Sequence, residues 1–161
     1  MRAALHPAQS PVRSPLRIGR AFPVCLLLAA LAGGAQAQAT PAGLWKTIDD
    51  DGKTEKSLVR ISESGGLYSG RIEKGLDPHP TETVCSQCSD ERKNQPIVGM
   101  TIIRNIKASD DKEIFDGGEV LDPNKGQTYR LRLKMLDGGK KLEVRGYLGP
   151  FYRNQQWIRV E

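Results

Sequence analysis

Between residues 43 and 159 the chain alternates apolar and polar residues with a period of two, interrupted by short clusters of Gly, Asp, Asn and Pro. Successive side chains leave a strand on opposite faces, so this period belongs to β-strands with one buried side. The clearest run is Tyr129, Leu131, Leu133 and Met135, interleaved with Arg130, Arg132 and Lys134. Leu142, Val144, Gly146 and Leu148 repeat the pattern against Glu143, Arg145 and Tyr147. Residues 44–47, 58–61, 67–73, 100–106, 113–121 and 153–160 read as further strands, with Gly117-Gly118 as a bulge in the fifth. Ser64-Gly65-Gly66, Asp122-Pro123-Asn124-Lys125-Gly126 and Asp137-Gly138-Gly139 supply the turns, because Pro fixes φ while Gly and Asn tolerate positive φ. About eight short antiparallel strands joined mostly by hairpin-length turns can remove their exposed edges by closing into an up-and-down barrel. An open curved sheet or a sandwich is the alternative. The expected fold is all-β.

Residues 1–37 read as a secretory signal. Arg2, Arg13, Arg17 and Arg20 form a basic start without acids, residues 21–31 a short apolar run, and Ala35-Gln36-Ala37 an A-x-A cleavage site. The apolar run falls short of the roughly 20 residues of a membrane span, and no second candidate follows in the mature chain. Phe22-Pro23-Val24 before Cys25 does not make a lipobox. Residues 38–161 are then one domain, with its core over 43–161 and its place in the periplasm or outside the cell.

Charge is redistributed by that cleavage. The whole chain holds 24 Lys+Arg against 19 Asp+Glu, and four of the Arg lie in the leader, so the mature part is near +1. A near-neutral surface of interspersed signs does not suit nucleic acid, which selects a basic stripe.

Residues 75–96 break the strand rhythm with Pro78, Pro80, Pro96, Cys85 and Cys88. A long loop in a small domain is functional, stapled or mobile. In an oxidising compartment Cys85-Ser86-Gln87-Cys88 reads first as a disulfide. A redox pair would need a βαβ setting and a helix N-terminus to lower a thiol pKa. A metal site could recruit His79 and Asp90, although zinc sites of this kind carry a second Cys/His pair. His79 is the only histidine after the leader, and no nucleophile elbow accompanies it, so a Ser-His-acid triad finds no support. Asp49-Asp50-Asp51-Gly52 lacks the alternating ligands and distal Glu of a calcium loop and reads as a solvated turn. No catalytic residue, metal or cofactor is expected.

Several segments together resemble one family. They are Gly43-Leu44-Trp45, Tyr68-Ser69-Gly70-Arg71-Ile72, the Cys85/Cys88 pair, and the run from Pro96 to Met100. Gly117-Gly118, the stretch from Leu121 through Tyr129, Val144-Arg145-Gly146-Tyr147-Leu148-Gly149, and Trp157-x-Arg159 continue the match. The family is the secreted bacterial domain-of-unknown-function family 2147, and the likeness runs over residues 43–161. It implies an exported lipocalin-like barrel and transfers no catalytic residues. More loosely, the chain resembles lipocalins and other calycins, in which a Gly-x-Trp on the first strand is covered by an Arg of the last. Trp45 and Arg159 occupy those places, which implies a barrel-closing pair.

The expected function is therefore a non-enzymatic binding module for a small apolar or amphipathic ligand, or for an envelope protein. Tyr68, Phe115, Tyr129, Leu131 and Val144 are its candidate lining. A filled barrel acting as a structural or interaction protein is the alternative, and a thiol-redox protein using Cys85 and Cys88 comes third.

Overall fold

The computed structural model describes residues 39–161, so the leader expected over residues 1–37 lies outside the described residues. Eight strands follow one another in a meander: β1 (Gly43–Ile48), β2 (Glu55–Ser64), β3 (Leu67–Gly75), β4 (Thr101–Ala108), β5 (Ile114–Asp122), β6 (Gln127–Leu136), β7 (Lys141–Leu148) and β8 (Phe151–Arg159). Each pairs antiparallel with the next, and β8 returns to β1 through Trp45↔Arg159, Lys46↔Ile158 and Thr47↔Trp157. That last pairing closes the sheet. An open sheet or a sandwich would have left β1 and β8 as edges with unpaired backbone groups. Every strand pairing of the barrel lies between Gly43 and Arg159.

The strands run longer than the alternation alone marks. β2 begins at Glu55 and ends at Ser64, since backbone pairing with β1 and β3 extends over polar residues that no core selects. The expected bulge is present: the β5–β6 register shifts between Phe115 and Gly118. A second irregularity lies opposite it, where the β3–β4 register shifts between Tyr68 and Gly70 and Asn105 takes a positive φ of 60°. Bulges in adjacent strands increase curvature, which a barrel this small needs.

Packing differs between the two ends of the barrel. At the end where β1, β3, β5 and β7 start, Trp45, Ile61, Ile106, Phe115, Leu133 and Leu142 are all at most 1% exposed. Tyr68 meets Phe115 edge-on there, with ring centroids 5.2 Å apart. This end is solid, and Arg159 lies across it. Its guanidinium stacks over Trp45 at 4.2 Å and donates from Nε to the Gly139 carbonyl (2.6 Å) and from Nη2 to that of Thr40 (2.6 Å). Nη1 donates to the Ala42 carbonyl at 2.8 Å. The Trp45 indole donates in turn to Pro41 at 2.7 Å, so residues 40–42 are laced across the barrel floor. Gly43 has a positive φ of 140°, and a Cβ there would lie 2.4 Å from the Glu161 main-chain oxygen and 2.5 Å from Arg159 Nη1. The glycine of Gly-x-Trp is therefore needed by the same clasp that uses its tryptophan.

Candidate functional site

At the opposite end the inward columns change character. On β8 the column running outward from Trp157 is Gln155 and Arg153; on β7, Val144 is followed by Gly146; on β1 and β2 the inward places are Thr47 and Ser57. Polar and small side chains cannot fill a barrel as Phe115 and Leu133 do, and a cavity of about 470 Å³ remains. Its lining comes from the C-terminal ends of β1, β3, β5 and β7, the N-terminal ends of β2, β4, β6 and β8, and the loops after β3 and β5. Those are all one end of an antiparallel meander. Ile72, Ile102, Val120, Val144 and Trp157 give it apolar walls, and exposed Thr81, Thr83 and Val98 bring it to solvent. The volume lies in the range of small-molecule pockets.

Polar groups inside the cavity are paired mostly with each other. Thr47 Oγ1 and Ser57 Oγ lie 2.9 Å apart, and the Ser57 amide donates to Thr47 Oγ1 at 3.1 Å. Trp157 Nε1 faces Gln155 Oε1 at 3.4 Å. At the rim Arg153 is held by Asp50 (2.5 Å), with Asp49 and Asp122 at 3.8 and 3.9 Å. Lys56 bonds Asp77 at 2.5 Å. The Asp77 carboxylate accepts from Lys56 and from the His79 amide, which holds its pKa below the ordinary carboxylate value; the same bond raises that of Lys56. This ion pair ties the start of the long β3–β4 loop to β2.

That loop covers one side of the mouth, and the cysteines fasten it. Cys85 and Cys88 form a disulfide with Cα atoms 5.4 Å apart, and both are buried. The short ring docks on the β5–β6 turn, with Cys85 Sγ 3.1 Å from the Pro123 carbonyl oxygen and Gln87 Nε2 donating to that of Asn124 at 3.2 Å. The approach is so close that a Cβ on Gly126, whose φ is 61°, would sit 2.1 Å from the Gln87 carbonyl oxygen. Inside the loop, buried Arg92 grips Asp90 with Nε and Nη2, and this guanidinium holds the Asp90 pKa down to about 2. The Cys85 amide donates to Gln95 and its carbonyl accepts from Asn94, both at 2.9 Å. The disulfide thus sits among structural contacts. Among the described residues no α-helix presents its N-terminus to it, and no group of three or more His, Cys, Asp or Glu could hold a metal ion.

The profile of a family described as "Uncharacterized protein conserved in bacteria (DUF2147)" matches residues 43–159. The chain belongs to this family. Within DUF2147, the matched span starts at the Gly43 of the clasp and ends at its Arg159. No curated protein matches the sequence. Among solved structures, protein HP1028 of Helicobacter pylori, described as belonging to the lipocalin family, superposes with a TM-score of 0.64. The match covers 76% of this chain and 84% of that one at 17% identity, and it shows a shared lipocalin-like barrel.

In this DUF2147 barrel, Tyr129 and Val144 line the cavity. Tyr68, Phe115 and Leu131 are not among its lining; they are buried in the core, Tyr68 against Phe115 near the solid end. Alternation assigns a residue to the inner face but not to a height along the barrel axis, which strand stagger sets. Sequence reasoning missed Ile72, Ile102 and Trp157 as walls and Thr47, Ser57 and Gln155 as interior polar groups. The available signal was the run of polar and small residues at inward positions near one end of β1, β2, β7 and β8.

Proposed function

We propose that this protein is an exported, non-enzymatic carrier that holds a small amphipathic molecule, apolar part inward, in the open end of its barrel. The observation that carries this reading is the asymmetry of the interior: one end is solid, while the other keeps a cavity with apolar walls and a polar rim. An apolar tail of a ligand gains by leaving water against Ile72, Val144 and Trp157, about 0.8 kcal/mol per buried CH₂. Its polar head remains among Arg153, Lys56 and the rim carboxylates. The lipocalin-like barrel is compatible with this use. Export is supported by the leader pattern of residues 1–37 and by the disulfide, which is uncommon in reducing compartments.

The test is titration of the chain from Gln38 with a dansyl-labelled medium-chain fatty acid. Gln155→Trp, which fills the cavity without enlarging a packed core, serves as the control. Saturable binding by the native chain, lost in Gln155→Trp, is expected. Absence of saturable binding, or equal binding by the filled variant, would overturn the reading. Export is tested separately by fractionating an expressing bacterium and weighing the protein: a mature start at Gln38 in the envelope fraction is expected, and an intact leader in the cytoplasm would contradict it.

A further inference from the structure

The β7–β8 hairpin stands at the same end of the barrel as the cavity mouth and carries apolar residues where a hairpin tip is ordinarily polar. Gly146 pairs with Arg153, and both line the cavity; one alternation further on, Leu148 pairs with Phe151. These two continue the inward columns of their strands past the rim, joined only by the Gly149-Pro150 turn. No wall faces them there: Leu148 is 50% exposed, Phe151 76% and its neighbour Tyr152 61%.

The outer face of the same hairpin is aromatic and cationic. Arg130 stacks on Tyr147 at 5.1 Å, Arg145 stacks on Tyr152 at 4.9 Å, and the two rings lie 6.2 Å apart. Arg132 pairs with Arg145 across β6 and β7, and its buried Nε has no hydrogen-bond partner. The carboxylates beside these three arginines are Glu143, 3.3 Å from Arg145, Glu119, across from Arg130 on β5, and Asp116, at the β5 bulge opposite Arg132. Lys134 follows on the same face of β6, so four cations stand against these three carboxylates.

We infer that this hairpin, through its tip and outer face, docks on a phospholipid bilayer bearing anionic headgroups. Leu148 and Phe151 enter the acyl boundary, Tyr147 and Tyr152 take the headgroup level that amphipathic rings favour, and the arginines face the phosphates. A second copy of the chain fits less well. Large aromatic side chains offer 150–250 Å² each, so three side chains of this exposure supply roughly 400 Å², about half of what each partner contributes to a stable interface. The docking does not depend on the cavity being occupied, so it stands or falls separately from the carrier reading.

The test is flotation of the chain from Gln38, without added ligand, on vesicles of phosphatidylethanolamine with a minority of phosphatidylglycerol. Partition on the order of 10³–10⁴ M⁻¹ is expected, similar to other single shallow anchors. The double variant Leu148→Ser/Phe151→Ser should lower it by about tenfold or more while leaving the far-ultraviolet dichroism unchanged. Arg130→Gln/Arg145→Gln should weaken binding to these vesicles but not to pure phosphatidylcholine. Failure to float at millimolar lipid, or flotation unchanged in the Ser double variant, would overturn the inference. So would a dimer in sedimentation velocity that the same variant abolishes, since the tip would then serve a second copy.

Discussion

Replacing Arg159 by Met tests how the barrel is shut. Met keeps much of the apolar length that packs on Trp45 and removes the guanidinium, which donates to the carbonyls of Thr40, Ala42 and Gly139 while covering the indole at 4.2 Å. Hydrogen bonds from a charged donor contribute about 1.5–3 kcal/mol each and a cation over an indole about 0.5–2 kcal/mol, but contacts of one side chain do not add in full. Burial also disfavours the charged form of Arg159 and pushes its pKa down, which offsets part of the gain. A net loss of about 3–4 kcal/mol follows, or roughly 10–15 °C in Tm for a domain of this size. Arg159→Lys restores charge without the planar fork and should recover less than half of the loss. Because the acceptors are carbonyls, the loss should persist in molar salt, where an exposed ion pair would be screened. The assay is urea and thermal unfolding followed by circular dichroism. A loss below about 1 kcal/mol for Arg159→Met would refute the clasp as a source of stability.

Other expectations concern the loop and the rim. Cys85→Ser/Cys88→Ser should cost only about 2 kcal/mol globally, because the closed ring is short; hydrogen exchange should show the Asn94 and Gln95 amides losing protection well before the barrel strands do. Gly126→Ala should lift the disulfide ring off the β5–β6 turn and cost roughly 1–3 kcal/mol, with Ser86→Ala as a near-neutral control in thermal unfolding. Asp77 and Asp90 have folded pKa values below their unfolded ones, so the stability they lend is present above about pH 4 and is lost as pH falls through the folded values; Lys56 has the opposite shift, and its share is lost only as pH rises past its raised pKa. Thermal unfolding against pH should therefore be flat from about pH 5 to 9 and fall toward pH 2, and a loss of stability centred near pH 6–7 would contradict this assignment.

The barrel was legible because its physical determinants are local. Leu131, Leu133 and Met135 alternate with cations, and Asp122-Pro123-Asn124 and Gly138-Gly139 turn the chain at hairpin spacing. Alternation places Trp45 and Arg159 only at the two ends of the pattern; their pairing was implied by the resemblance to lipocalins, not by the residues alone. The cavity was only half legible. Tyr129 and Tyr68 look alike in a strand-period reading, yet stagger lifts Tyr129 to the mouth and sinks Tyr68 against Phe115. The covering loop has no periodicity to read. Its docking depends on a non-local approach, Gln87 against Gly126, that no short window contains.

The carrier reading requires an interior that is solid at one end and admits a ligand at the other. A solution nuclear magnetic resonance titration with a medium-chain alkyl amphiphile tests it directly. Saturable shifts are expected at the Trp157 indole and the methyls of Ile72, Ile102 and Val144, with Trp45, Leu133 and Leu142 unmoved. Shifts centred on Trp45 and Leu133, or no saturable shifts at all, would contradict it.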